Sequence, residues 1–177
     1  MISAGHNSQA ELSVPKFPDN CTDIDAITAQ PKEGGRHILV SVDLSENSWD
    51  AVDFAIRNVV LPADMLTVYH VLDPRDLVKS DDDPAHFRTQ NMIQIHNKMK
   101  ELIKKSGKDI LFRVHASWNE DARSAILEKL KQPTSSKYRM LVIGSRGQSN
   151  LEGLMMGSVS NYILNTSPIP VVVVRKP

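Results

Sequence analysis

The sequence predicts an α/β protein: an open five-stranded parallel sheet with helices on both faces. Two observations predict it. Five short apolar runs alternate with stretches whose apolar residues recur at helical spacing, in the order βαβαβαβαβ. Most of the runs are apolar almost throughout rather than at every second residue, as strands covered on both faces are. A third observation says where a ligand would sit. The pattern Gly144-x2-Gly147-x9-Gly157-Ser158 lies between the fourth run and the last helical stretch.

Residues 1–35 are polar and broken by Pro15, Pro18, Pro31, Gly34 and Gly35, which predicts a flexible N-terminal arm. The folded domain is expected over 36–177. The first strand is expected over 37–42 and ends at Asp43. Ser45 or Asn47 can cap the helix that follows. Val52, Ala55, Ile56 and Val59 form its apolar stripe, and Pro62 breaks it. The second strand is expected over 65–72 and is closed by Asp73-Pro74, with a polar loop after it.

The acid run Asp81-Asp82-Asp83 precedes Pro84 and suits a solvated helix N-terminus. It lacks the spacing and the downstream glutamate of a calcium loop. Met92, Ile95, Met99, Leu102 and Ile103 mark the inner face of a long helix ended at Ser106-Gly107. The third strand, over 110–116, carries Arg113 and His115, so an edge position is expected. A helix follows with Ala122, Ala125, Ile126 and Leu130 inward, stopped by Pro133. The fourth strand is expected over 138–143. The last helix starts at Gly157-Ser158 and ends at Pro168, and the fifth strand runs over 169–174.

Composition narrows the function classes. Of 177 residues, 41% are hydrophobic and 24% charged, a globular balance. Lys+Arg and Asp+Glu are both 21, which gives no electrostatic case for nucleic acid or an anionic membrane. Cys21 is the single cysteine, so neither a disulfide within the chain nor a cysteine metal site is expected. The first residues lack the apolar core of a signal peptide, and no apolar run is long enough to span a bilayer. A cytoplasmic location is the expectation.

Strand, glycine-rich loop and helix N-terminus is a layout that binds phosphate. Glycine lets the main chain approach an anion with no Cβ in the way. First-turn amides of a helix have no intrahelical acceptor and sit at the positive end of its dipole. Ser158 and Ser160 would add hydroxyls. No lysine follows the last glycine, so this is not a P-loop, and the glycine spacing differs from the dinucleotide fingerprint. In an open parallel sheet a ligand sits at the carboxyl ends of the strands, where the winding reverses. That rule brings together Asp43, residues 71–73 and the glycine loop.

Four segments together resemble the universal stress protein family: Val-Ser-Val-Asp-x-Ser at 40–45, Tyr-His-Val-Leu-Asp at 69–73, the glycine pattern, and Pro-Ile-Pro-Val-Val-Val-Val at 168–174. The match spans about residues 36–175. The resemblance implies an adenine nucleotide alpha hydrolase-like fold of strand order 3-2-1-4-5, and a homodimer joined through residues 170–175. It also implies the ATP-binding branch, which the glycine pattern marks.

Carried over by motif, Ser41, Val42 and Asp43 would flank the adenosine, and Val71 would line the adenine pocket. Ile143 and Gly144 would lie by the ribose, while Gly147, Gly157, Ser158, Val159 and Ser160 would hold the phosphates. Ser41 stands where the family often has proline. The ligand would be ATP, with AMP and ADP as alternatives, and Mg²⁺ or Mn²⁺ would be the candidate bridging ion. No catalytic residue is assigned. The function implied is a nucleotide-responsive regulatory module in stress response with slow or no hydrolysis, against a weak ATPase or phosphotransferase as the alternative.

Some residues keep two readings. Asp43 either meets the nucleoside or only caps the first helix. Arg146 reaches a phosphate or lies in solvent, and Trp118 rims the pocket or covers the sheet edge. His70 is read as structural, with no partner visible in sequence.

Overall fold

The computed structural model describes residues 31–131, 138–146 and 156–175. The elements run β1 (His37–Val42), α1 (Glu46–Phe54, continued by a π-helical turn, Ala55–Val59), β2 (Met65–Leu72), α2 (Pro74–Ser80) and α3 (Pro84–Ser106). Then come β3 (Leu111–Trp118), α4 (Ala122–Lys131), β4 (Tyr138–Gly144), α5 (Ser158–Thr166) and β5 (Val171–Val174). The five strands form one parallel sheet in the order β3-β2-β1-β4-β5. The predicted edge position of β3 is therefore observed. The predicted N-terminal arm and the helix stop at Pro133 lie essentially outside the described residues.

Strand alternation sorts the core into two layers. Ile38, Val40, Val42, Leu66, Val68, Val114 and Val142 face one side, against Val52 and Ile56 of α1 and Ile95 and Met99 of α3. Leu39, Tyr69, Leu141 and Ile143 face the other, against Ala125 and Ile126 of α4 and Ile163 of α5. Each layer is a sheet face covered by two amphipathic helices.

Two local features depart from the expectation. The stretch after Asp73 is helix α2, not a loop. Asp73 caps it by accepting from the Arg75 N–H at 2.8 Å, and Pro74 takes the first helical position, where no N–H is needed. None of its residues is buried, so no apolar stripe announces it. The end of α1 is wound as a π turn, in which the Val60 N–H reaches Ala55 O at 2.9 Å. Elsewhere the capping expectations hold: Ser45 caps α1, Asp83 caps α3, and Gly107 ends α3.

The amino ends of the strands are tied shut. Asp64, 2% exposed, accepts from the Arg36 main-chain N–H at 2.7 Å, its Nη2 at 2.6 Å and the Leu61 N–H at 2.9 Å. Burial alone would raise the Asp64 pKa, but these donors outweigh it and hold the carboxyl below its ordinary value. Arg36 Nη2 also reaches Val59 O at 2.8 Å, and Lys108 Nζ reaches Ile56 O and Arg57 O at 2.9 and 2.7 Å. Two cations thus satisfy carbonyls at the end of α1, where the helix dipole favours positive charge. A Cβ on Gly35 would lie 1.9 Å from Ala63 O, so only glycine lets the chain pass there.

Candidate functional site

At the carboxyl ends the sheet opens. β1 and β4 part company here: β1 leads to α1 on one face, and β4 leads to α5 on the other. Ser41 lies abreast of Ile143, and Asp43 and Val71 continue the same face of β1 and β2. The first turn of α5 closes the space from the side.

Among the described residues the cleft has two lobes. The inner lobe, about 190 Å³, is lined by Ser41, Val42, Asp43, Val71, Ile143, Gly144, Gly157, Ser158, Val159 and Ser160, with Ser48, Ala122, Ile126 and Arg146. Every described residue of the predicted site is in that lining. Gly147 lies outside the described residues. The outer lobe, about 480 Å³, shares Asp43, Val71, Ala122, Ser158 and Val159 with the inner one. It extends over the starts of α2 and α4, past His70, Phe87 and Asn91.

Gly144 is needed for close approach. A Cβ there would stand 2.8 Å from Asn47 O, so glycine lets the end of β4 touch the first turn of α1. Beyond it, the Ser145 N–H bonds to Val174 O and the Gly157 N–H bonds to Ser145 O, both at 2.7 Å. The loop is thereby pinned at both ends.

Ser160 needs a correction. It is 4% exposed and lines the lobe, but its hydroxyl donates to Gly144 O at 2.7 Å. That proton holds α5 against β4 and is not available to an anion. The Gly157 N–H is likewise committed to Ser145 O. What the start of α5 does offer is the N–H groups of Ser158, Val159 and Ser160, which lie in the first turn and have no intrahelical acceptor.

Ser45, not Asp43, is the N-cap residue of α1. The Asp43 Oδ1 accepts from the Ser45 N–H at 3.1 Å and the Ser45 hydroxyl at 2.6 Å, and Ser45 in turn caps α1 through Ser48 N–H. Between them Leu44 has φ +66°, in the left-handed region that costs a non-glycine residue about 1–2 kcal/mol. The strain turns the chain sharply off β1 and sets Asp43 in the cleft wall.

Arg146 lines the inner lobe. Trp118 ends β3, stacks on Phe87 with ring centroids 5.8 Å apart and packs on the α1/α3 core, so it covers the sheet edge. His70, read from sequence as lacking a partner, has one: Nδ1 is 2.9 Å from Val42 O. Burial lowers its pKa, against smaller opposing effects of that bond and of Asp43, so the ring stays neutral.

In the outer lobe the arginines are tethered. Arg75 pairs with Asp73, and Arg123 pairs with Asp121 while lying 5.5 Å from the centre of the Tyr162 ring. The arginines hold both aspartates below the ordinary carboxylate range. Sequence reading reached Asp43, residues 71–73, Ser158 and Val159 of this lobe but missed the rest, because those walls come from separate helix starts. Arg two residues after a capping Asp, at 73–75 and again at 121–123, was the available signal.

A sequence model described as the universal stress protein family matches residues 35–175. An uncharacterized protein of Schizosaccharomyces pombe is 29% identical over 142 residues, which is 78% of this chain but 23% of that protein. The chain therefore spans about a quarter of that relative's length. Universal stress protein PHOS32 of Arabidopsis thaliana is 30% identical over 174 residues, covering 83% of this chain and 68% of that one. Among solved structures, hypothetical protein MJ0577 superposes with a TM-score of 0.60 at 23% identity, over 80% of this chain and 96% of that one. A universal stress protein in complex with cAMP superposes with a TM-score of 0.52 at 21% identity, over 81% of this chain and 98% of that one.

Proposed function

This chain belongs to the universal stress protein family, and we propose that it serves there as an adenine-nucleotide-binding regulatory module with slow or no hydrolysis. Membership supports a role in stress response. The observation that carries the nucleotide reading is the inner lobe itself. The motif residues from β1, β2, β4 and α5 converge on one cleft, and that cleft holds first-turn amides of a helix beside a glycine-mediated close approach. That a universal stress protein of similar fold was solved with cAMP agrees with this reading.

The amides of Ser158, Val159 and Ser160 would meet phosphate oxygens, and the ends of β1 and β2 would hold the nucleoside. ATP is the expected nucleotide. Mg²⁺ or Mn²⁺ would ride mainly on the phosphates, because no group of three acids or histidines able to hold a metal occurs among the described residues. Slow turnover is supported by the single carboxylate in the described inner-lobe lining. That group is Asp43, whose Oδ1 already serves Ser45.

The test is calorimetric titration with ATP and magnesium, together with identification of any nucleotide released on denaturation. Ser158→Asp is the control. A carboxylate suits a helix N-terminus and keeps the fold, but repels phosphate, so affinity should fall at least about tenfold. No heat with the parent protein, or an unchanged affinity in the variant, defeats the reading.

The homodimer would form through β5. Pro170 O and Val174 O both face β4, so alternation turns the main-chain groups of Val171 and Val173 outward. Val173→Pro removes an outward N–H without touching the β4 ladder. It should give monomers in light scattering, and a persistent dimer would place the interface elsewhere.

Among the described residues no helix is long and apolar enough to cross a membrane.

A further inference from the structure

The outer lobe begins where a phosphate seat ends. His70 is 8% exposed and lines this lobe. A carbonyl oxygen only accepts, so the bond to Val42 O fixes the proton on Nδ1 and leaves Nε2 as a bare acceptor. Among the described residues Nε2 has no hydrogen-bond partner, yet the atom keeps some access to solvent. The remaining edge of the ring therefore opens on the lobe.

Asp43, which lines both lobes, brings a carboxylate that can only accept. The strand ends thus present acceptors, whereas the start of α5 presents donors. A polyphosphate belongs at the donors and is repelled by Asp43. The opposite end of the ligand must then bring hydrogen-bond donors to the strand ends.

Resting on the nucleotide reading above, we propose that His70 is a specificity-determining residue whose Nε2 accepts from the exocyclic amine of an aminopurine nucleotide. Hypoxanthine carries an oxo group at that position and would set one acceptor against another. A site built to pair a donor rejects the analogue that lacks it, because the protein's polar atom is left unpaired. Burial keeps the imidazole neutral, so the acceptor persists at physiological pH.

The experiment titrates ATP and ITP, each with magnesium, into the full chain and into His70→Asn. Asparagine keeps a donor for Val42 O but has no second ring nitrogen to reach the lobe. The parent protein should prefer ATP to ITP by roughly tenfold, the scale of one hydrogen bond. In His70→Asn the ATP affinity should fall to that of ITP, with ITP affinity and the thermal midpoint unchanged. A variant that keeps the preference, a parent without one, or equal losses for both nucleotides with a lowered midpoint would each overturn the assignment alone. A parent protein that binds neither nucleotide would overturn the reading of the cleft and this inference with it.

Discussion

The two ends of the sheet are built on opposite principles. At the amino end, polar groups are spent on one another. Asp64 takes donors from Arg36 and Leu61, Arg36 and Lys108 take the carbonyls that end α1, and Gly35 lets the chain close over Ala63. At the carboxyl end, first-turn amides, a histidine nitrogen and a strained Leu44 are held in place without being sealed. Both ends use the same ingredients: a carboxylate, a glycine at a close contact, helix termini. The difference lies in the direction of the helices. The helices that return to a following strand, α1, α3, α4 and α5, run back against the strands, so their C-termini gather at one end and their N-termini at the other. Arg36 and Lys108 satisfy the carbonyls at the C-terminus of α1. The N-termini gathered at the open end are suited to an anion from outside.

The comparison is most easily broken at the amino end. Asp64→Ala leaves Arg36 and Leu61 donors unmet and should cost about 3 kcal/mol in urea unfolding, at the low end for a buried pair because Arg36 keeps water access. Nucleotide affinity should not change. If affinity falls in step with stability, the two ends are not independent. Gly144→Ala attacks the other end. Its Cβ would meet main-chain Asn47 O at 2.8 Å, so about 2 kcal/mol is expected, this time with loss of nucleotide binding. A variant that binds normally would mean the approach of β4 to α1 is incidental.

Acid should separate the ends by pH. His70 is held neutral by burial. His115 is half-buried, and desolvation, with Lys129, Arg113 and Arg88 nearby, lowers it to about 3. Unfolded histidine protonates near pH 6.5, so this stability is full above about 6.5 and is lost as pH falls, at about 1.4 kcal/mol per pH unit for His115. Asp64, with a lowered pKa, contributes fully above the ordinary carboxylate value and weakens only below about pH 4. Unfolding of His115→Gln should be flatter between pH 6.5 and 5 than that of the parent; equal slopes would remove His115 from the account.

The smallest effect is expected at Leu44. Glycine would relieve the φ of +66° but surrender the packing of Leu44 on the core. The two should nearly cancel, to within about 1 kcal/mol. A loss of 3 kcal/mol would show that the turn stores no strain.

Much of this was legible in advance because it is local or periodic. Strands alternating with amphipathic helices name a parallel sheet, and Gly144 to Ser158 names the loop that meets a helix start. The misses have physical causes. Helix α2 buries no residue and is held by its cap, so hydrophobic periodicity is blind to it. The π turn keeps Ala55 and Ile56 buried as an α-helix would, so the stripe does not distinguish them. Ser160 is expected to offer both an amide and a hydroxyl, but whether a hydroxyl meets a ligand or a carbonyl depends on what packs within 3 Å.

The sequence by itself determined the order of the elements, which face of each is apolar, and the cluster of residues at the carboxyl ends. These follow from periodicities of two and of about 3.6 and from the backbone freedom of glycine. Only the tertiary structure decided which polar groups are consumed in holding the fold and which are left to act. His70 and Val42 are 28 positions apart and Ser160 and Gly144 are 16, so each pairing exists only once the strands and helices have been brought together. A hydrogen bond is a matter of a few tenths of an ångström, and no local pattern carries that distance.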